Sequence, residues 1–335
     1  MRARLTLLWF VLTTAASVAI ARLQRGPLRP GWSYLTEVLA RVNRRVLDAS
    51  KIHGIHWLRE VQSAMPTQNP FDAKVRFEPT DAGGVRALWC VPNAEPLERV
   101  VVYFHGGGYV VGSIDSHREI VARIAVGARA RVLSVDYRLS PEHRFPTAQQ
   151  DCHRVVEWLL LERGVDPSTV ALAGDSAGGA LALATLLARR DAGEPLPACA
   201  ALVCPWVDPL CDGGSMVANE PYDFGDRDLL VGWIRAHASD AEIGLPALTP
   251  IVADLRGLPP LLIQAGGAEI LLDQITGFAE SARASGVDVT CTVYPEMFHD
   301  FPIMAGLLAA GVEAIEEMSG FLDRRLGVTQ RVAVG

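Results

Sequence analysis

Short apolar runs alternate with helical stretches along most of the chain after residue 80. Apolar residues at helical spacing predict helices at 117–127, 147–163, 178–191, 273–285 and 306–325. Several of the runs are uniformly apolar, which is typical of strands whose two faces are both covered by helices. The alternation predicts an α/β fold with a doubly wound, mostly parallel sheet. The predicted strands are Ala87–Val91, Val100–Phe104, Val132–Val135, Val170–Ala173, Ala200–Val203, Leu261–Gln264 and Val289–Tyr294.

Two regions interrupt this alternation. Residues 32–65 carry apolar positions at helical spacing and predict two helices, broken near Gly54 and closed by Pro66. Residues 207–257 contain no convincing strand and one helical stretch, around Asp226–Ala238. Because an insertion of this length after a strand is often functional, we expect the two regions to form a cap over a site. The alternative to a cap is a packed surface region that has no role in substrate choice.

The N-terminal residues 1–25 differ from the rest of the chain. Arg2 and Arg4 precede an apolar run from Leu5 to Ala21, and Arg22 follows it. A secretory signal cleaved after Ala19-Ile20-Ala21, a membrane anchor and a helix packed on the domain all fit this pattern. The run of about 17 residues is at the short limit for crossing a bilayer. The sequence favours membrane association or export over a cytoplasmic location.

Composition narrows the class of protein. Half of the 335 residues are apolar and 21% are charged, so the chain can bury a large core and is neither disordered nor fibrous. The net charge of −7 argues against a general affinity for nucleic acid or for anionic membranes. We therefore expect no nucleic-acid partner.

The cysteines indicate neither a metal site nor a disulfide framework. They show no Cys-x-x-Cys pair and no histidine-rich spacing, so we expect small buried apolar side chains and no metal. One disulfide among Cys199, Cys204 and Cys211 stays open for an exported domain. The six cysteines are at positions 90, 152, 199, 204, 211 and 291.

A glycine-flanked serine lies between a predicted strand and an Ala/Leu-rich predicted helix. The segment reads Gly174-Asp175-Ser176-Ala177-Gly178. A tight strand-to-helix turn presents such a serine above the sheet in a strained conformation, and the glycines leave room for the neighbouring backbone. The helix start adds N–H donors where negative charge develops. The pattern predicts Ser176 as a nucleophile.

A glycine run follows the predicted strand Val100–Phe104. Its sequence is His105-Gly106-Gly107-Gly108-Tyr109. Consecutive glycines let backbone amides approach a bound oxyanion without a Cβ atom in the way. The run lacks the Lys-Ser/Thr of a phosphate-binding P-loop. Together with the serine turn, it indicates an oxyanion hole.

Three sequence blocks resemble the hormone-sensitive-lipase family of α/β-hydrolases. They are His105–Tyr109, Asp136–His143 and Gly174–Gly179, and the resemblance covers roughly residues 80–325. It implies an α/β-hydrolase fold with a helical cap and a serine carboxylesterase or lipase. The substrates would be short- to medium-chain carboxylic esters, with no metal or organic cofactor.

The resemblance also implies a catalytic triad with Ser176 as nucleophile. The family's acid block corresponds to Gly266–Asp273, which places Glu269 at the acid position in place of the usual aspartate, with Asp273 as its rival. The base would be His299, the last histidine of the chain, which follows the last predicted strand.

The remaining assignments concern the loops around this triad. The implied oxyanion donors are the backbone N–H groups of Gly107, Gly108 and Ala177. His105 and Gly106 are expected to shape the glycine loop. We expect Arg138 and Glu142 to hold their own loop by hydrogen bonds, and Asp300 to point away from the site.

These observations predict an apolar N-terminal segment at 1–25 and cap helices at 26–70. The hydrolase core would comprise 71–206 and 258–328, with the cap insertion at 207–257. A lactonase, deacetylase or amidase could use the same triad, and a non-catalytic binding protein could share the fold. The expected partners are a small-molecule ester, a membrane through residues 1–25, and a second copy in a homodimer.

Overall fold

One eight-stranded sheet forms the centre of the molecule. The computed structural model describes residues 2–64, 70–94 and 98–327, so Pro66, the predicted end of the second cap helix, lies outside the described residues. The spatial order is β1-β2-β4-β3-β5-β6-β7-β8, and every pairing from β4 to β8 is parallel. The strands are β1 Val75–Asp81, β2 Arg86–Pro92, β3 Val100–Phe104, β4 Arg131–Val135, β5 Val170–Asp175, β6 Cys199–Val203, β7 Leu261–Gly266 and β8 Val289–Tyr294.

Helices cover the sheet and extend beyond it. Among them, α5 continues through a π-helical turn at Trp158–Glu162, and short 3-10 turns lie at Asp72–Lys74, Pro167–Thr169, Glu220–Tyr222, Pro250–Val252 and Phe301–Met304. The helices are α1 Arg2–Arg25, α2 Tyr34–His53, α3 Ile55–Ser63, α4 Arg118–Gly127, α5 Thr147–Glu157, α6 Ala177–Asp191, α7 Gly214–Ala218, α8 Arg227–His237, α9 Asp240–Ile243, α10 Leu272–Ala284 and α11 Ala309–Arg325.

The predicted α/β class and the mostly parallel sheet are confirmed. Strands β3, β5, β6 and β7 are buried along their whole length, in agreement with their largely apolar sequences. Strand β1, which the sequence pattern did not predict, pairs antiparallel with β2 at the edge of the sheet. This strand contains Pro79 and several charged residues, which an edge strand tolerates because one of its sides needs no partner.

The parallel strands place four loops at one edge of the sheet. The carboxyl end of β3 leads into the glycine loop, and that of β5 leads into Ser176. β7 precedes the loop that carries Glu269, and β8 precedes the loop that carries His299. All four strands run in the same direction, so residues that are far apart in sequence meet at their carboxyl ends.

The N-terminal helix α1 packs against α2. Its inner face buries Phe10, Thr14 and Val18, while Arg22 forms an ion pair with the buried Glu37 at 3.0 Å. Arg45 of α2 donates hydrogen bonds to the hydroxyls of two threonines of α1, at 2.5 and 3.3 Å. The helix therefore has its own polar and apolar partners on the domain.

The insertion at 207–257 contains more helix than its sequence predicted. Besides the predicted helix, observed as α8, it forms α7 and α9 and two short 3-10 turns. Arg44 of α2 donates hydrogen bonds to the carbonyl oxygens of Glu220 and Gly225 and pairs with Asp226. The N-terminal helices and the insertion thus contact each other directly.

All six cysteines are free, and Cys199, Cys204 and Cys211 are each buried. The disulfide that the sequence left open among these three is absent from the structure. Buried thiols of this kind act as small apolar side chains.

Candidate active site

Ser176 occupies the turn between β5 and α6. Its backbone has φ 51° and ψ −119°, a strained conformation for a residue with a Cβ atom. A Cβ atom at Gly178 would overlap the carbonyl oxygen of Phe104, and one at Gly174 would lie 2.5 Å from the carbonyl carbon of Gly178. The two glycines therefore allow the close backbone contacts on which this turn depends.

The glycine loop after β3 also requires residues that have no side chain. Gly107 and Gly108 have φ values of 112° and 58°, which favour glycine. A Cβ atom at Gly107 would overlap the carbonyl oxygen of Val111, and one at Gly108 would overlap the indole ring of Trp233. Ala177 begins α6, so its N–H group has no partner within the helix.

A buried polar network links the glycine loop to the serine turn. The Asp175 carboxylate accepts hydrogen bonds from the Tyr103 hydroxyl at 2.6 Å and from His117 Nε2 at 3.2 Å. Burial disfavours the charge of His117, but the Asp175 carboxylate outweighs this effect and raises the pKa of His117. A Cβ atom at Gly106 would overlap that carboxylate, so the network and the loop are in direct contact.

His105 contacts both the glycine loop and Tyr137. Its Nδ1 atom lies 2.8 Å from the Gly106 carbonyl oxygen, its ring stacks on Tyr137, and the Tyr137 hydroxyl donates to the His105 carbonyl oxygen. Burial lowers the pKa of His105 to about 3, which keeps the ring neutral. Arg138 and Glu142 likewise hold their loop, through Asp151 and Arg59 respectively.

His299 and Glu269 meet where the loops after β8 and β7 come together. His299 Nδ1 lies 2.7 Å from Glu269 Oε2, and the other carboxylate oxygen accepts the N–H of Gly266 at 3.0 Å. Both side chains are buried. Burial disfavours the imidazolium, but Asp300 and Glu269 outweigh it and hold the pKa of His299 well above its ordinary value.

Asp300 lies against the histidine, so the expectation that it points away is wrong. Its Oδ2 atom is 3.2 Å from His299 Nε2, the nitrogen that a serine hydroxyl would need to reach. The backbone at Asp300 is left-handed, with φ 54°, and this turns the side chain back toward its neighbour. Burial raises the pKa of Asp300 to about 7. Among the described residues, the Ser176 hydroxyl has no hydrogen-bond partner.

The rival acid Asp273 does not contact His299. Its Oδ2 atom accepts the N–H of Ser215 at 2.8 Å, and Ser215 lies in the insertion. Asp223, another residue of the insertion, was not singled out by the sequence. Its carboxylate accepts the backbone N–H groups of His299 and Ile270 at 2.9 and 2.7 Å. Its distance in sequence from both partners hid this contact.

Within the described part of the chain, Cys204, Glu269 and His299 form the one set of potential metal ligands. One ligand atom of each lies within 4.8 Å of the others. Burial raises the pKa of the Cys204 thiol well above its ordinary value, so the sulfur keeps its proton. The direct Glu269–His299 hydrogen bond already uses one potential ligand atom of each of these two residues.

Comparisons with known proteins agree with this architecture. A sequence model of the α/β-hydrolase fold family matches residues 101–303. An acetyl-hydrolase of Streptomyces hygroscopicus is 39% identical over 246 residues, which cover 73% of this chain and 82% of that protein. The carboxylesterase NlhH of Mycobacterium tuberculosis is 36% identical over 250 residues, which cover 72% of this chain and 78% of that protein.

A solved structure extends the match over nearly the whole chain. An esterase of the bacterial hormone-sensitive lipase family superposes with a TM-score of 0.76 and 32% identity, covering 98% of this chain and 99% of that one. The family resemblance inferred from the three sequence blocks is confirmed. The chain belongs to the α/β-hydrolase family, of the hormone-sensitive-lipase type, and is a carboxylic ester hydrolase.

Proposed function

We propose that the enzyme cleaves short- to medium-chain carboxylic esters through an acyl-enzyme formed on Ser176, with His299 as base and Glu269 as acid. The observation that carries this proposal is the 2.7 Å contact between His299 Nδ1 and Glu269 Oε2 at the sheet edge where Ser176 stands. The same pairing of an imidazole with a buried carboxylate orients the base in serine hydrolases of unrelated folds.

The reaction begins with proton transfer from the Ser176 hydroxyl to His299 Nε2 and attack of the serine oxygen on the ester carbonyl. Glu269 stabilises the imidazolium that forms. His299 then protonates the leaving alcohol, and a water molecule repeats the sequence on the acyl-enzyme. Asp300 Oδ2 must leave Nε2 for the first step, because both groups approach the same nitrogen.

The tetrahedral oxyanion would accept hydrogen bonds from the N–H groups of Gly107, Gly108 and Ala177. Two features support this assignment. The positive φ values of the two glycines set the orientation of their peptide groups, and Ala177 offers a free N–H at the start of α6. Positioned donors of this kind each account for roughly 100- to 1,000-fold in kcat.

The test is Ser176→Ala with a matched control at a second buried serine. Ser134 lies in β4 and its hydroxyl has no hydrogen-bond partner within the described ranges, so Ser134→Ala should leave hydrolysis of p-nitrophenyl butyrate unchanged. Ser176→Ala should lower kcat by about 10⁴-fold or more with the fold intact. Hydrolysis at the parent rate by purified Ser176→Ala protein would overturn the proposal.

The cap regions at 26–70 and 207–257 are proposed to set acyl-chain length. Supporting this, Trp233 of α8 lies against Gly108 in the glycine loop, and Arg44 joins α2 to the insertion. Removing the indole in Trp233→Ala opens space beside the proposed oxyanion hole. The ratio of kcat/KM for p-nitrophenyl octanoate to that for the butyrate should then rise. An unchanged ratio would exclude Trp233 from this selection.

We also propose that α1 binds a lipid surface. Among the described residues, one helix, Ala3–Arg25, is long and apolar enough to cross a membrane, and α1 docks on α2 by its inner face. The full chain should sediment with phosphatidylcholine vesicles, and Leu12→Glu/Ile20→Glu should abolish this. Equal binding by both proteins would contradict the proposal. Six apolar side chains on the outer face of α1 are more than half exposed: Leu5, Leu8, Trp9, Leu12, Ile20 and Leu23.

The homodimer remains a prediction, and light scattering of the full chain tests it.

A further inference from the structure

We propose that three side chains of the insertion, Ser215, Asn219 and Asp223, form a clamp that fixes Glu269 and His299 relative to each other. Asp223 is the positioning residue that joins the two loops. The inference rests on the proposed triad, whose acid and base it holds in place.

The first two clamp residues bind the backbone of the Glu269 loop. Ser215 Oγ donates to the Ile270 carbonyl oxygen at 2.9 Å and accepts the Asp273 N–H at 3.0 Å. Asn219 Nδ2 donates to the carbonyl oxygens of Glu269, at 2.9 Å, and Gly267, at 3.3 Å. Asp273 lies in the first turn of α10, where the N–H groups have no partner within the helix, and Ser215 supplies a partner for this one.

Asp223 extends the clamp from the acid loop to the base loop. One carboxylate oxygen accepts the N–H of Ile270, the residue after Glu269, and the other accepts the N–H of His299 itself. The second oxygen also accepts the N–H of Phe224 at 2.8 Å, and the Phe224 ring stacks on the His299 imidazole with centroids 4.7 Å apart. The same short segment therefore holds both the backbone and the ring of the base.

Geometry explains why this attachment matters for the rate. Glu269 and His299 lie on separate loops after β7 and β8, and their 2.7 Å hydrogen bond must persist while the imidazole gains and loses a proton. A displacement of about 1 Å within a catalytic group can cost 100-fold in rate. Asp223 restricts such displacement because one buried carboxylate bonds to both loops.

The clamp also carries charge close to the base. The titratable groups facing Asp223 are His299 and Glu269, and His299 also faces Asp300 and Cys204. Burial raises the pKa of Asp223 to about 6, against the attraction of the imidazolium. The ionised carboxylate in turn favours protonated His299, so neutralising Asp223 should lower the pKa of His299.

The test compares Asp223→Asn with Asp212→Asn, a control for the same change of charge at an exposed site of the insertion. In Asp223→Asn, one carboxylate oxygen becomes an amide N–H₂ that faces a backbone N–H. We expect kcat for p-nitrophenyl butyrate to fall about 10- to 100-fold with little change in KM. The acid limb of the kcat/KM profile should move to lower pH. Asp212→Asn should match the parent in all three quantities.

A second variant covers the case in which Asp223→Asn does not fold. Asn219→Ala removes two hydrogen bonds from a half-buried side chain, and we expect a fall in kcat of about threefold or more at an unchanged KM. A merely structural role would lower Tm while leaving the kcat of the folded enzyme and its pH profile unchanged. If every variant that folds gave that result, the clamp proposal would be overturned.

The outcome also separates the clamp from the triad on which it rests. If Ser176→Ala is inactive while Asp223→Asn and Asn219→Ala match the parent enzyme, the clamp fails and the triad stands. If Ser176→Ala remains active, the triad itself fails.

Discussion

Asp300 should set the pH at which the enzyme becomes active. Its carboxylate lies 3.2 Å from Nε2 of His299, and the imidazole has Glu269 on its other nitrogen. His299 accepts the serine proton only in its neutral form. Because both carboxylates favour the imidazolium, the activity of the parent enzyme should rise with pH through a His299 pKa above the ordinary value of 6.5.

The magnitude follows from the distance between the two groups. Unit charges 3.2 Å apart attract by about 5 kcal/mol at an effective dielectric constant of about 20, equivalent to about 4 pKa units. Asp300 is 18% exposed, so water screens part of this attraction, and measured effects of close opposite charges are about 1–3 units. Neutralising Asp300 should therefore move the acid limb of kcat/KM about 1–3 units toward lower pH.

Two variants suit the left-handed backbone at this position. Asp300→Asn keeps the shape of the side chain, Asp300→Gly removes it, and both residues tolerate a φ of 54°. The assay is kcat/KM for p-nitrophenyl butyrate across the pH range in which each variant is folded. Asp288→Asn, at an exposed aspartate, controls for net charge. An acid limb at the parent position in both Asp300 variants would refute the reasoning.

Two further predictions concern the acid and the serine turn. Glu269→Gln should lower kcat by about 10⁴-fold with an unchanged circular dichroism spectrum, because the amide no longer favours the imidazolium, and activity equal to the parent's would contradict the assignment. Gly178→Ala should cost about 3 kcal/mol or prevent folding, since its Cβ would overlap the carbonyl oxygen of Phe104. Urea unfolding measures this cost. Gly232→Ala is the control, because no atom of the described chain outside its own helix lies within 4 Å of a Cβ there. Equal stability of the two variants would contradict the prediction.

The central strands and the serine turn were accessible from sequence because local pattern determines them. A buried parallel strand needs a uniformly apolar run, and the turn at Ser176 needs small residues on both sides. β1 escaped detection because an edge strand with one partner accepts Pro79 and charged residues. The buried strands were therefore predictable because their packing demands apolar residues, and the edge strand was not because its packing demands less.

The contacts around the triad were harder to predict because they join distant segments. Asp223 and His299 are 76 residues apart, and no local pattern marks an aspartate that accepts two backbone N–H groups. One signal was present: Ser215 and Asn219 are four residues apart, a spacing that places two side chains on one face of a helical turn. The orientation of Asp300 was predicted wrongly because the sequence gives no sign of the left-handed backbone that turns its side chain toward His299.

Covalent labelling tests the central claim, that Ser176 is the nucleophile of this esterase, most directly. The enzyme is treated with diethyl p-nitrophenyl phosphate, and its peptides are analysed by mass spectrometry while residual activity is measured. We expect one diethylphosphoryl group on Ser176 per enzyme molecule inactivated, and strongly reduced labelling in His299→Ala. Inactivation with Ser176 unmodified, or with the label on another residue, would contradict it.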